Sequence, residues 1–210
     1  MIVLADNDVL FKLAQCELFE EFLTAFQITY ADIRILKFGR YSMTSKRHRN
    51  RIGEESFLRL FAFLEKVDDL SNIPNAEYVN ALELQTDKNI DAGEMALFAV
   101  CPVIENSTIV TGDKKSLKGL AEAGTTDDVC AKLCSELAGR VFCFEQVLEK
   151  IIDRIGFDTV RERLVRGREC DQGLAQSLGS KSDATEVLFR EGLTSYLNDV
   201  RRTSGNLLAP

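Results

Sequence analysis

The chain has 210 residues, 45% hydrophobic and 28% charged, which is enough apolar material for one sizeable core with at most a modest appendage. This balance excludes a disordered chain. A formal net charge of −7 excludes a protein that coats nucleic acid over its whole surface, but leaves room for a local basic patch.

Met1-Ile2-Val3-Leu4-Ala5 reads as a buried strand, and the acidic Asp6-Asn7-Asp8 follows it at once. Residues 9 to 26, rich in Leu, Phe and Ala with interspersed acids, predict one helix or two short ones. Residues 27 to 30 read as a short second strand, and residues 31 to 38 as the start of another helix that ends near Gly39. From Lys37 to Arg51 the chain carries Lys37, Arg40, Lys46, Arg47, Arg49 and Arg51 without an acid, together with His48, the single histidine. Such a run is either a solvated loop or a phosphate-contacting one.

Phe57, Leu58, Leu60, Phe61, Phe63 and Leu64 fall at helical spacing within residues 54 to 67. A polar connection containing Pro74 covers residues 68 to 77, and residues 78 to 84 fit helix or strand equally. Asp91-Ala92-Gly93-Glu94 opens a helix that reaches about Cys101. Acids in a first helical turn also complement the helix dipole, with no further role required. After a turn at Pro102, Thr108-Ile109-Val110-Thr111 reads as a second buried strand, followed by Gly112-Asp113 and a helix over residues 115 to 123. Thr126-Asp127-Asp128 fits an N-cap for a helix that ends at Gly139, and residues 141 to 144 read as the last strand.

Strands and helices alternating in this way predict an α/β fold, a three-layer sandwich with a mainly parallel central sheet. Beyond residue 144 only helices are expected, over residues 145 to 155, 158 to 166 and 183 to 201, with Asp183 and Glu186 as a helix-start pair and a Gly- and Ser-containing link over residues 167 to 182. The chain then divides into an α/β domain, residues 1 to 145, and a helical C-terminal extension, residues 146 to 210.

Six cysteines without a C-x-x-C pair read as reduced thiols, and with one histidine they offer no zinc set. No signal-type segment opens the sequence and no uncharged run is long enough to cross a bilayer, so a cytoplasmic protein with no membrane contact is expected.

Acids that immediately follow buried parallel strands gather where such sheets bind ligands, at the carboxyl ends of the strands. Asp6, Glu94 and Asp113 can supply three oxygens to Mg²⁺ or Mn²⁺, which prefer carboxylates, waters and substrate phosphates. Ions held this way activate water and steady the leaving oxygen in phosphodiester cleavage.

Three segments also carry a resemblance. Val3-Leu4-Ala5-Asp6-Asn7-Asp8-Val9-Leu10 resembles the opening of PIN-domain ribonucleases, Asp91-Ala92-Gly93-Glu94-Met95-Ala96-Leu97 their Gly-Glu-Ala-Glu helix start, and Ile109-Val110-Thr111-Gly112-Asp113 their Thr-x-Asp segment. Order and spacing agree over roughly residues 1 to 145. The resemblance implies a PIN-like fold and a metal-dependent ribonuclease in which Asp6, Glu94 and Asp113 are catalytic metal ligands, with Asp91 an additional one. Asp8 stands where the family usually has Asn or Ser to orient the first Asp. Asp8, Lys46, Arg47, Arg49, Lys114 and Lys115 are then the substrate-binding candidates. The family also tends to place an acid soon after its second strand, where this chain offers only Asp32. RNA is the implied substrate. Many PIN proteins are toxins of toxin-antitoxin pairs, which adds an inhibitory protein and a homodimer as candidate partners. Two other readings compete: an inert PIN-like module that binds RNA or protein, and a haloacid dehalogenase-type phosphatase suggested by Asp6-Asn7-Asp8 and Asp127-Asp128. The phosphatase's usual Gly-Thr-Leu continuation is replaced here by Val9-Leu10-Phe11.

Overall fold

Five short strands form one sheet: β1 (Ile2–Ala5), β2 (Ile33–Ile35), β3 (Asp68–Asp69), β4 (Ser107–Thr111) and β5 (Val141–Cys143), in the order β3-β2-β1-β4-β5. Every pairing is parallel. The computed structural model describes residues 1–179 and 184–210, so Asp183 of the expected helix-start pair lies outside the described residues.

Helices α1 (Asn7–Gln15) and α2 (Phe19–Phe26) follow β1, and α3 (Lys37–Met43), α4 (Lys46–Ile52) and α5 (Glu54–Leu64) separate β2 from β3. Between β3 and β4 lie α6 (Ala76–Glu83) and α7 (Ala92–Val100), and between β4 and β5 lie α8 (Lys114–Ala123) and α9 (Asp128–Glu136). The chain ends with α10 (Phe144–Ile155), α11 (Phe157–Gly167), α12 (Gln172–Leu178) and α13 (Glu186–Ser204).

Successive side chains of a strand point to opposite faces, so a sheet covered on both sides builds two cores. Val3, Ala5, Ile33, Ile35 and Val110 enter one buried cluster with Leu13, Phe22, Leu64 and Val147. Leu4, Ile109, Val141 and Cys143 enter the other with Tyr78, Phe98, Leu120 and Leu133. The expected α/β sandwich is therefore present, and its sheet is wholly parallel among the described strands.

Three local expectations are corrected. The second strand is Ile33–Ile35 rather than residues 27 to 30, so it lies inside the segment expected to start a helix, and the helix there begins only at Lys37 and runs past Gly39 to Met43. Gln27 turns into the left-handed region at the end of α2, and Thr29 and Asp32 then bond reciprocally around a 3₁₀ turn, which delays the extended backbone. The basic run is not a loop but the helices α3 and α4. The link over residues 167 to 182 contains helix α12, capped by Asp171. Residues 76 to 83, undecided from sequence, are helical.

The C-terminal helices pack on the same cores. Val160, Leu164, Leu174, Phe189 and Leu193 are buried with Val3 and Val110, while Leu197 and Val200 join the second cluster. The tail beyond α13 returns to the sheet: the Val141 N–H donates to the Leu207 carbonyl at 3.2 Å and the Ala209 N–H to the Val141 carbonyl at 2.7 Å. That contact covers part of an otherwise open sheet edge. No helix of the described residues is long and apolar enough to cross a membrane.

Candidate functional site

The chain leaves β1 toward β2 and β3 on one side of the sheet and returns to β4 and β5 on the other. This reversal opens a crevice at the carboxyl ends of β1 and β4, the place where open parallel sheets bind ligands. A cleft of about 270 Å³ lies there, lined by Asp6, Asp8, Asp91, Glu94 and Asp113 together with Phe38, Ser42, His48 and Arg51. The five acids named as metal-ligand or substrate-binding candidates are thus brought to one cavity.

Local chemistry fixes each carboxylate. Asp6 is the N-cap of α1: one of its oxygens accepts from the Asn7 N–H at 2.7 Å and the other from the Thr111 hydroxyl at 3.1 Å. The same hydroxyl accepts from the Asp113 N–H at 3.1 Å, so Thr111 ties the two strand ends together. Asp113 caps α8 through Oδ1, which accepts from the Lys115 and Ser116 N–H groups. Asp91 and Glu94 form a capping box on α7, each accepting the other's backbone N–H at 2.8 Å. Capping occupies one oxygen each of Asp91, Glu94 and Asp113 and stabilises the helices. Asp91 Oδ2, Glu94 Oε1 and Asp113 Oδ2 have no hydrogen-bond donor among the described residues.

Among the described residues none of Asp6, Asp91, Glu94 and Asp113 makes an ion pair. Their electrostatics reflect that. Burial, then the nearby Asp8 charge, pushes the Asp6 carboxyl up to about 6. Burial raises Glu94 further, to about 8, and the Asp113, Asp91 and Asp6 charges add to the effect. Partly desolvated like charges disfavour ionisation, and a cation at this point would reverse that. The donor chemistry, all carboxylate oxygen, fits a hard divalent cation. The spacing is looser: no set of three or more His, Cys, Asp and Glu groups among the described residues is arranged closely enough to hold a metal ion as it stands.

Asp8 differs from the other four. It sits in the first turn of α1, 2.6 Å from the Lys12 ammonium, and does not cap the helix. Lys12, only 6% exposed, also donates to the Gly112 carbonyl at 2.8 Å and pairs with Asp171 at 2.9 Å. Burial pulls the Lys12 pKa down, but Asp8 and Asp171 outweigh it and hold it above the ordinary value. Gly112 lets the backbone pass close to this pair, since a Cβ there would meet Asp8 Oδ2 and Lys12 Nζ and both side-chain ends would have to shift. Asp171 extends the network to Lys114 at 3.0 Å, and Lys114 to the fully buried Glu145 at 2.6 Å. A buried chain of charges therefore runs from the cleft to the cap of α12. Burial works against the Asp171 carboxylate, yet Lys12 and Lys114 hold it well below its usual range.

The basic candidates separate. Lys114 points inward to Glu145 and Asp171, and Arg49 pairs with Glu54, so neither lines the cleft. Lys46, Arg47 and Lys115 are exposed beyond its lining. His48 and Arg51, named in the basic run but not among the substrate-binding candidates, do line it. The His48 Nδ1 lies 2.7 Å from the Ser42 carbonyl, while the Arg51 guanidinium stands 5.6 Å over the Phe11 ring and 4.0 Å from Asp8. Their i, i+3 spacing becomes a signal only once the segment is known to be helical. Asp127, needed by the phosphatase reading, caps α9 through the Cys130 N–H and lies outside the cleft. A larger groove of about 1030 Å³ opens at the amino-terminal end of β4, but Glu105 is its single lining side-chain acid.

No family model matches the chain, and neither a curated protein nor a solved structure is similar enough to count as a match.

Proposed function

We propose that this chain is a metal-dependent ribonuclease with a PIN-like fold, hydrolysing RNA phosphodiester bonds with Mg²⁺ or Mn²⁺. The observation that carries this reading is the gathering of four carboxylates, without a cationic partner among the described residues, at the crevice between β1 and β4. In it, Asp6, Glu94 and Asp113 would hold the cation and Asp91 would add a further oxygen. When bound, the cation lowers the pKa of a water and offsets charge on the phosphate. The chain itself supplies alignment: Thr111 fixes Asp6 relative to Asp113, Lys12 fixes Asp8 relative to Gly112, and Arg51 offers a guanidinium for phosphate at the rim.

One observation favours a second reading, an inert RNA- or protein-binding module. Leu36, Lys37, Phe38, Gly39 and Arg40 follow β2 without an acid, and Asp32 precedes that strand at its opposite end. The two readings part on cleavage of a labelled RNA. A nuclease cuts with Mn²⁺, stops with chelator and loses activity on Asp6→Asn; cleavage that persists in Asp6→Asn, or is absent with every divalent ion, would refute the nuclease.

A further inference from the structure

Two thiols meet where the C-terminal helices rest on the α/β core. Cys16, fully buried, closes the carboxyl end of α1, and Cys170 ends the 3₁₀ turn Arg168–Cys170 between α11 and α12. Their sulfurs lie 3.7 Å apart although 154 positions separate them in the sequence, and this is the one thiol–thiol hydrogen bond among the described residues. The backbones approach as closely. Gly167, which opens the same turn, is so near that a Cβ there would fall 2.5 Å from the Cys16 sulfur and 3.0 Å from its Cα. Residues three apart in a 3₁₀ turn lie on one side of it, so Gly167 and Cys170 both face the end of α1. A disulfide holds its sulfurs about 2 Å apart, which leaves these two under ~2 Å to close.

Access differs between the two. Cys16 is shut off from solvent, whereas Cys170 is partly exposed, so a reagent enters through Cys170 and must be small. The hydrogen bond with Cys16, and then burial, hold the Cys170 thiol above its ordinary value. The pair therefore rests as thiols and reacts slowly, through the minor thiolate. Next in the chain is Asp171, whose carboxylate pairs with Lys12 of α1 and Lys114 of α8. A bond between the sulfurs would back that ionic junction with a covalent one.

We propose that Cys16 and Cys170 form an oxidation site, at which hydrogen peroxide installs a disulfide that latches the C-terminal helices to α1. The Cys170 sulfur attacks one peroxide oxygen and the O–O bond breaks. Cys170 becomes a sulfenic acid, and the departing hydroxide leaves as water with the former thiol proton. The Cys16 sulfur then attacks the sulfenic sulfur. The S–S bond forms as the S–O bond breaks, and the oxygen leaves as a second water with the Cys16 proton. Two thiols and one peroxide thus give one disulfide and two waters, the sulfurs being oxidised and the peroxide reduced. The site does not depend on the ribonuclease reading.

The test treats the folded, fully reduced chain with hydrogen peroxide, alkylates the remaining thiols after unfolding, and reads the unreduced digest by mass spectrometry. The expected product has four of the six cysteines alkylated and one cross-linked peptide pair that joins Cys16 to Cys170, and dithiothreitol reverses it. Cys170→Ser, at the partly exposed member of the pair, abolishes the cross-link, whereas Cys134→Ser, at a partly exposed thiol on α9, retains it. Urea denaturation gives the second readout. Closing so long a loop raises the midpoint of the oxidised wild type by about 1 M or more, and peroxide leaves the midpoint of Cys170→Ser unchanged. Six alkylated thiols after peroxide, a bridge between any other pair, a disulfide between two chains, or Cys170 carried on to the sulfinic acid beside an intact Cys16 would overturn the site. A Cys16–Cys170 bridge that leaves the midpoint where it was would overturn the latch.

Discussion

Replacing Glu94 by Gln isolates the electrostatic strain in the cleft. Glu94 is 6% exposed, and its carboxyl is raised from 4.5 to about 8, first by burial and then by the charges of Asp113, Asp91 and Asp6. A folded-state pKa above the unfolded one means that the folded chain binds the proton more tightly. The associated stability is complete below pH 4.5, declines as pH rises and is gone above about 8. At about 1.4 kcal/mol per pKa unit, this corresponds to a ceiling of roughly 5 kcal/mol. Glutamine stays neutral, and its carbonyl still reaches the Asp91 N–H that Glu94 accepts. Urea denaturation in EDTA from pH 5 to 9 reads the difference: the wild type loses a few kcal/mol across this range, and Glu94→Gln loses clearly less. Mn²⁺ at about 100 times its Kd then restores roughly 2.7 kcal/mol to the wild type at pH 8, and little to the variant. Parallel pH curves for the two proteins would refute the reasoning.

The buried charge chain and the Gly112 crossing give two further outcomes. Asp171→Ala removes one of two carboxylates from each of Lys12 and Lys114, and a loss of about 3–5 kcal/mol is expected in urea denaturation at pH 7. Because the Asp171 pKa is lowered in the fold, its contribution is present above pH 3.8 and lost as the solution is acidified, so the two proteins converge in acid; a variant as stable as the wild type at pH 7 contradicts the network. Gly112→Ala drives a Cβ into Asp8 and Lys12 and is expected to cost about 1–3 kcal/mol and to depress RNA cleavage, whereas full activity at wild-type stability would show that the crossing has slack.

Much of the fold is written in local runs. β1 and β4 are short, continuously apolar or β-branched segments with an acid just past each end, and the sheet places both ends at one crevice. The helix over residues 92 to 100 follows from its capping pair, since Asp91 and Glu94 bond as a box. β2 is less legible because Thr29 and Asp32 close a turn that looks extended in composition. α3 and α4 are hidden for another reason: they bury only Gly39, Met43 and Ile52, so no apolar stripe announces them. That concealed His48 and Arg51 as cleft residues. The ties from Lys12 and Lys114 to Asp171 span long stretches of sequence and depend on α12 docking, which composition read as a link. No pattern confined to neighbouring residues could reveal them.

The central assignment is most directly tested by diffraction from crystals soaked in Mn²⁺, with data collected to give anomalous differences. A peak among Asp6, Glu94 and Asp113, lost in crystals of Asp6→Asn, is the expected result. Fully soaked crystals with no peak there, or with Mn²⁺ bound elsewhere and the cleft unchanged, would contradict it.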